Sequence, residues 1–427
     1  MESEYGRVVG YDDNFIQRTR CPGEAGEIPA LSRNREPSFL ASRSTWRVRA
    51  APSVEVTGRS PDQSSLSGVR CGPWSRPLLK GFFVKRIFTA ACAAVVTPAL
   101  LIGTAAAANA SDAGLFGSVK QGAGAYSQSM AIIGITNTVE SAPSSSVTWL
   151  VKQQCASGGF QLYRTAQEAC TTPDAANYTG PDTNTTAVAV VALLRSGKKK
   201  AAKLAGKALL SWQNADGGFP YFSGGDSDVN STGLVAYALA ALPDSNARST
   251  AIDNAQEYVA KAMLPCSSPV ADRYALPYQP GGTADSMASA QGLLGLAPLS
   301  ARAGKSAQKI SKVTCNSDLT KQIASYLQRA ADANGWVLPN SWVPGEDDWI
   351  STATAVIALH DAGWSPSGIS SMSNAMAKHV DSIIYKKHKL DPGSIGTLMF
   401  AVTSANRNPM SFGGKNLYSL LLSTLQK

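Results

Sequence analysis

The sequence predicts an all-α fold built from repeated pairs of helices, and three observations carry that expectation. Five segments open alike, at Asp182-TNTTA, Asp228-VNSTG, Asp285-SMASA, Asp348-WISTA and Asp391-PGSIG, spaced by 46, 57, 63 and 43 residues. Each opening leads into a run of small apolar residues, such as 185–194, 231–242 and 351–359. Between these runs lie amphipathic segments and recurring loops: Gly158-Gly159-Phe160, Gly217-Gly218-Phe219, Gly335-Trp336 and Gly413-Gly414.

The elements follow in order. A first apolar helix is expected from Tyr126 to Thr138, and amphipathic helices over 144–154, 199–214, 247–263, 318–333 and 370–385. A last helix, Leu417 to Gln426, completes a sixth pair with the first. At each repeated Asp, the side-chain oxygen accepts from free backbone N–H groups of the coming turn, so the residue marks a helix start. The runs that follow are apolar nearly all round and read as buried helices. In KKAAKLAGKALLSW, by contrast, Ala202, Leu204, Ala205, Ala208, Leu209 and Trp212 oppose a lysine face, which implies one side in water. Glycine frees the intervening turns, and the aromatic residue beside it fills the gap between neighbouring pairs.

Two of these loops are more specific. Gln154-CAS-Gly158-Gly-Phe160 and Gln213-NAD-Gly217-Gly-Phe219 resemble the Q-x-x-x-G-x-W motif of the prenyltransferase/squalene-cyclase (terpenoid cyclase) repeat family, with Phe in place of Trp. The resemblance covers about 125–425 and is strongest over 143–242. It implies an (α/α)6 toroid, with inner helices lining a central funnel and outer helices facing solvent. Asp285-SMASAQGLLGLAPL is also similar to inner-helix segments of the secreted corrinoid carriers of the transcobalamin and intrinsic-factor type.

The sequence also reads as that of an exported protein. Lys85 and Arg86 precede a charge-free apolar stretch from Ile87 to Ala106, and Ala108-Asn109-Ala110 fits a cleavage site before Ser111. Residues 84–110 are therefore expected to be a Sec-type bacterial signal peptide, with an uncleaved membrane anchor as the alternative. Residues 1–83 are rich in Ser, Arg and Pro, lack lasting periodicity, and read as a disordered leader or as sequence upstream of the true start near Val84. The toroid is expected over 111–427, in a secreted, extracellular protein.

Of seven cysteines, four lie after Ser111: Cys155, Cys170, Cys266 and Cys315. An even number in an exported domain implies two disulfides. Of the three possible pairings, Cys155–Cys170 and Cys266–Cys315 are expected, because each closes one loop between neighbouring helices. The alternative of a zinc site lacks any C-x-x-C pair, and His360, His379 and His388 are distant in sequence, so no metal is expected. Residues 111–427 carry 25 Lys and Arg against 21 Asp and Glu, with no basic block longer than Lys198-Lys199-Lys200. That excludes the concentrated basic face that nucleic acid requires.

The chemistry of the resembled enzymes is missing. Polyene-protonating members carry Asp-x-Asp-Asp-Thr-Ala at an inner-helix start, whose central Asp stays protonated as a general acid. The matching positions here are Asn184-Thr185, Asn230-Ser231, Met287-Ala288 and Ile350-Ser351. Glu346-Asp347-Asp348 precedes its helix and reads as a capping, solvated loop, with a calcium or substrate-cation role as the alternative. No Asp, Cys and His set for a catalytic zinc, no Cys-Gly-Glu-Gln thioester, and no G-x-S-x-G or H-E-x-x-H motif occurs. Tyr274, Tyr278, Asn184 and Arg273 imitate part of a toroidal polysaccharide-lyase set without its spacing.

The expectation is thus a non-catalytic toroid, without cofactor, that binds a small molecule or a surface partner in its funnel. The wall would come from Asp182, Asn184, Asp228, Asn230, Tyr278, Asp285, Trp342, Asp348 and Trp349, with Trp342 and Trp349 stacking on an isoprenoid, corrinoid or glycan face. The alternatives are a secreted enzyme, similar to a terpenoid cyclase or a polysaccharide lyase, and a structural envelope protein. For any single wall residue, the competing role is a helix cap or a space-filling ring.

Overall fold

The computed structural model describes residues 112–164, 168–297 and 307–427. The expected leader, signal peptide and cleavage site lie outside these residues. Thirteen helices account for nearly all the regular structure described: α1 (Ala125–Thr136), α2 (Ser144–Lys152), α3 (Thr183–Arg195), α4 (Lys199–Ser211), α5 (Val229–Ala240), α6 (Asn246–Ala262), α7 (Ser286–Leu296), α8 (Leu319–Ala333), α9 (Trp349–Ala362), α10 (Pro366–Lys378), α11 (Val380–Ile384), α12 (Pro392–Ser404) and α13 (Leu417–Ser423).

Six of them close a ring. Helix α1 packs on α3, α3 on α5, α5 on α7, α7 on α9, α9 on α12, and α12 back on α1. Helices α2, α4, α6, α8, α10 and α13 pack outside this ring, each against the inner helix it follows. The architecture is the expected all-α toroid of six helix pairs.

The ring closes tightly because small residues face one another. A Cβ on Gly233 of α5 would lie 2.2 Å from the Gln291 carbonyl oxygen of α7, a distance no side chain tolerates. The outer layer is amphipathic as expected, with one correction in α4. Leu204 is 41% exposed, so the buried stripe runs through Ala202, Ala205, Ala208 and Leu209 instead. Nor does the predicted helix over 370–385 run unbroken. It divides into α10 and α11 at His379, while the last helix ends at Ser423 and pairs with α12 rather than, as expected, with the first helix, which pairs with α2.

The repeated sequence motifs have local structural causes. All five repeated aspartates are N-caps, accepting from the third-residue backbone N–H at 2.6–2.8 Å. The next residue in three repeats is a threonine whose hydroxyl works in two directions. Thr186, Thr232 and Thr352 each donate to the cap carbonyl at 2.6–2.7 Å and accept from the buried N–H of Phe160, Phe219 or Leu338 at 2.8–2.9 Å. In the α7 repeat, Ser289 accepts from the Leu276 N–H at 2.8 Å. Short antiparallel ribbons, such as Phe160–Gln161 with Pro181–Asp182 and Phe219–Pro220 with Ser227–Asp228, bring each clamped loop to its helix.

The glutamine motif stitches the outer layer. Gln154 Nε2 donates to the Gly158 and Ala201 carbonyls, each at 2.9 Å, and Gln213 Nε2 donates to those of Gly217 and Ala251, each at 2.8 Å. Each thus ties the end of one outer region to the first turns of the next. Gly158 is needed at its place, since φ is +96° and a Cβ would meet the Leu204 carbonyl oxygen at 2.4 Å. Phe160 and Phe219 beside these glycines are fully buried. Disulfides join Cys155 to Cys170 and Cys266 to Cys315, the expected pairing.

Candidate functional site at the mouth of the toroid

The inner helices carry a repeated pattern of residual exposure that locates the axial lumen. In α3, Val188 and Val191 are 6% and 5% exposed, whereas Ala189 and Val190 between them are fully buried. The same spacing recurs at Leu234 and Tyr237 in α5, Gln291 and Leu294 in α7, and Thr397 and Phe400 in α12. Residues three or four apart share a helix face. This face is the one turned to the axis, and most of it is apolar.

Five inner helices, α1, α3, α5, α7 and α9, start at the same end, because the loop before each overlaps the start of the one before it. The loop before α3 caps α1 through Ala125 N–H to Leu162 O at 3.0 Å, and the loop before α5 caps α3 through Thr183 N–H to Tyr221 O at 2.9 Å. The loop before α7 caps α5 through Val229 N–H to Tyr278 O at 2.9 Å, and Ser341, before α9, accepts from the Ser286 N–H of α7 at 2.8 Å. Each overlap seats an aromatic residue at the mouth: Tyr163, Tyr221 with Phe222, Tyr278, and Trp342. Tyr278 and Trp342 pack edge to face with centroids 5.7 Å apart, as do Tyr221 and Phe222 at 4.7 Å.

Just inside this rim, three amides occupy the lumen-facing positions of consecutive helices. Asn184 in α3, Asn230 in α5 and Gln291 in α7 each have a side-chain carbonyl oxygen that is buried and makes no hydrogen bond among the described residues. Asn230 and Gln291 are 8% and 7% exposed. Leaving a buried polar group without a partner costs about 1–3 kcal/mol, so three in one arc need a compensating role.

The carboxyl groups are differently placed. Asp182 and Asp228 are engaged as caps and sealed from solvent, and burial lifts the pKa of each to about 7. Burial also raises that of Asp285. Beside Asp182 lies the Tyr126 hydroxyl, whose pKa burial and then the Asp182 charge push up to about 12. Burial, followed by the charges of Asp391 and Asp182, likewise raises that of Tyr163.

Several of the expected wall residues therefore divide by role. Asn184 and Asn230 face the lumen, and Tyr278 and Trp342 meet at the rim. Asp182, Asp228, Asp285 and Asp348 hold their own helix starts. Trp349 stacks on His379 at the end of α10, with centroids 5.1 Å apart. Gln291, Tyr163 and Tyr221 complete the mouth and were not anticipated. A signal existed for Gln291, the lone polar residue of its size in the run 286–296.

At the far end of the lumen, side chains from several inner helices converge. Arg195 of α3 donates to Asn137 Oδ1 at 2.6 Å, the Tyr237 hydroxyl lies within the influence of Arg195 and Asp361, and Asp361 pairs with His360 at 2.9 Å. Among the described residues no group of three or more His, Cys, Asp and Glu side chains is arranged to hold a metal ion, and no helix is long and apolar enough to cross a membrane.

No protein-family model matches the chain, and comparison with curated proteins finds no match. Solved structures with a similar fold include type II terpene cyclases. One similar structure is a protein from Actinoplanes, 13% identical over 66% of this chain and 90% of that one, with a TM-score of 0.42. Another is ent-copalyl diphosphate synthase from Streptomyces platensis, 16% identical, TM-score 0.44, matching 66% of this chain and 50% of the synthase. A type II terpene cyclase from Scytonema is 10% identical, TM-score 0.42, over 66% of this chain and 88% of that one.

Proposed function

We propose that this chain is an exported, non-catalytic binding protein whose mouth takes a hydroxyl-rich small molecule, a sugar unit of a glycan. The observation that carries this reading is the arc of buried amides, Asn184, Asn230 and Gln291, beneath a rim of aromatic rings. Amides offer donors and acceptors together, as hydroxyl groups do. Aromatic faces supply apolar contact for the other side of a sugar ring. A hydrocarbon at the same place would leave the amides without partners, at a cost comparable to that of any buried polar group.

Two disulfides fit an oxidising, extracellular setting. Sealed carboxyl groups argue against acid catalysis, because a general acid must reach the group it protonates. The lower lumen supports a second reading. Its wall of Val188, Val191, Leu234, Leu294 and Phe400 suits an apolar ligand such as an isoprenoid.

Titration of the protein with neutral sugars and with alkanols of matched size, followed by calorimetry, separates the two. On the sugar reading, sugars bind, and Asn230→Leu or Gln291→Leu weakens them about tenfold or more, a loss of about 1.4 kcal/mol. Binding of alkanols alone, unchanged or strengthened by those substitutions, would overturn it in favour of the apolar ligand.

A further inference from the structure

The rim extends the proposed site well beyond one sugar, and we infer that the ligand is an extended, uncharged glycan chain of several units laid along the starts of α1, α3, α5 and α7. This inference rests on the sugar-binding reading and adds the length and charge of the ligand.

The argument starts from the overlapping loops. The backbones of α1, α3 and α5 are capped by the same bond, from the first helical N–H to a carbonyl of the next loop, and α7 by the Ser341 hydroxyl in its place. A repeated bond fixes a repeated position. Tyr221 and Tyr278 are themselves capping residues, and Tyr163 and Trp342 each follow one, so four consecutive repeats carry an aromatic ring at or next to the capping position. Neighbouring packed helices stand about 8–10 Å apart, so four such places span roughly 24–30 Å of rim. A single sugar ring is shorter than one of these intervals and reaches at most two of the platforms.

The two end rings are exposed, and Tyr221 and Tyr278 between them are half-buried. Trp342 is 57% exposed and Tyr163 is 41% exposed, at the two ends of the arc. Exposed aromatic area at spaced positions is sequence-tolerant stacking surface for a chain of flat-faced units, whereas a protein partner would call for a contiguous apolar patch.

Charge narrows the class further. Glu346 and Asp347, in the loop that carries Trp342, are exposed and form no ion pair with Lys or Arg among the described residues. A polyuronate would set its carboxylates against these, and like charges at close range disfavour each other. A neutral chain meets no such opposition.

The test is a length series. The protein is titrated with cello- and chito-oligosaccharides from the monosaccharide to the hexamer, with an oligogalacturonate as the charged control, following tryptophan fluorescence and calorimetry. Affinity is expected to rise at least tenfold from monosaccharide to hexamer in one neutral series and to be weaker for the uronate. Trp342→Ala and Tyr163→Ala should each shrink that hexamer-to-monosaccharide ratio. Melting temperatures of these surface variants are read alongside; if one is lowered, the length series of the unaltered protein decides. Equal affinity for monosaccharide and hexamer would overturn the chain while leaving the sugar reading intact. Tighter binding of the uronate would overturn the charge preference, and no binding of any sugar would overturn the parent reading as well.

Discussion

The guanidinium of Arg195, the last residue of α3, lies 4.8 Å from the centroid of the Phe400 ring on α12. Those two helices are not neighbours in the ring, because α1 stands between them. The contact is therefore made across the lumen, and the hydrogen bond from Arg195 to Asn137, the residue after α1, braces it. Arg195→Met should lower stability by about 1–2 kcal/mol, the usual worth of a partly desolvated cation–π contact with a hydrogen bond. Arg195→Lys should restore only part, since an ammonium lacks the planar stack. Denaturant midpoints check this, and an unchanged midpoint for Arg195→Met rules the brace out.

Asp182 gives a pH dependence whose sign is fixed. Its folded pKa of about 7 lies above the unfolded value of about 3.9, because burial disfavours the charged form. Such a group stabilises the fold below about pH 4, and that contribution is lost as pH rises to about 7. Asp182→Asn keeps the capping oxygen but stays neutral. The melting temperature of the variant minus that of the original should climb from about pH 4 to about pH 7 and then level off. A difference independent of pH would show that Asp182 titrates normally.

The threonine clamps predict an exchange phenotype. Thr232→Val removes the hydroxyl that accepts from the Phe219 N–H and leaves that donor buried, at a cost of about 1–3 kcal/mol. Hydrogen exchange at the Phe219 amide should accelerate more than at amides of distant repeats. Uniform acceleration throughout the ring would instead indicate a global loss.

Disulfide removal should be graded by loop length. The Cys266–Cys315 bond spans 49 residues and the Cys155–Cys170 bond 15. Loop entropy alone gives about 4 kcal/mol for the first and about 3 kcal/mol for the second. Serine replacement of each pair, compared by denaturant titration, should therefore cost more at Cys266 and Cys315. The reverse order would mean that local contacts outweigh chain entropy here.

Gly233→Ala probes the closure of the ring. The added methyl meets the Gln291 backbone at 2.2 Å and forces α5 from α7. A loss of about 1–3 kcal/mol or more is expected, together with weaker ligand binding at the amides above it. Unaltered stability would mean the ring relaxes at that seam.

How much of this was legible follows from the range of each interaction. The aspartate caps could be read because a cap and its acceptor lie three residues apart. Gln154 and Gln213 could be recognised as a motif, though not as the stitch between outer helices. Leu204 misled because a single turn of α4 looked evenly amphipathic. The lumen face was harder still. An inner helix is apolar on every side, so its periodicity cannot say which side meets the axis. Only ring closure separates Val188 from Val190, or turns Gln291 inward and Trp349 towards His379. Rim aromatics such as Tyr163 gain meaning only once the neighbouring loop is seen to cap the preceding helix.

The two ends of the toroid are zipped together. Gly114 N–H donates to Gln426 O at 2.9 Å, Gln426 N–H returns a bond to Leu115 O at 2.8 Å, and Gly117 N–H reaches Thr424 O at 2.9 Å. The polypeptide thus forms a bracelet whose clasp happens to fall between α13 and α1. The clasp holds residues 114–117 beside 424–426 much as a loop would, so the order in which the six pairs are strung is not fixed by the architecture. Joining residues 112 and 427 by a short linker and opening the chain at the exposed turn after α5 should yield a permutant that folds to the same ring.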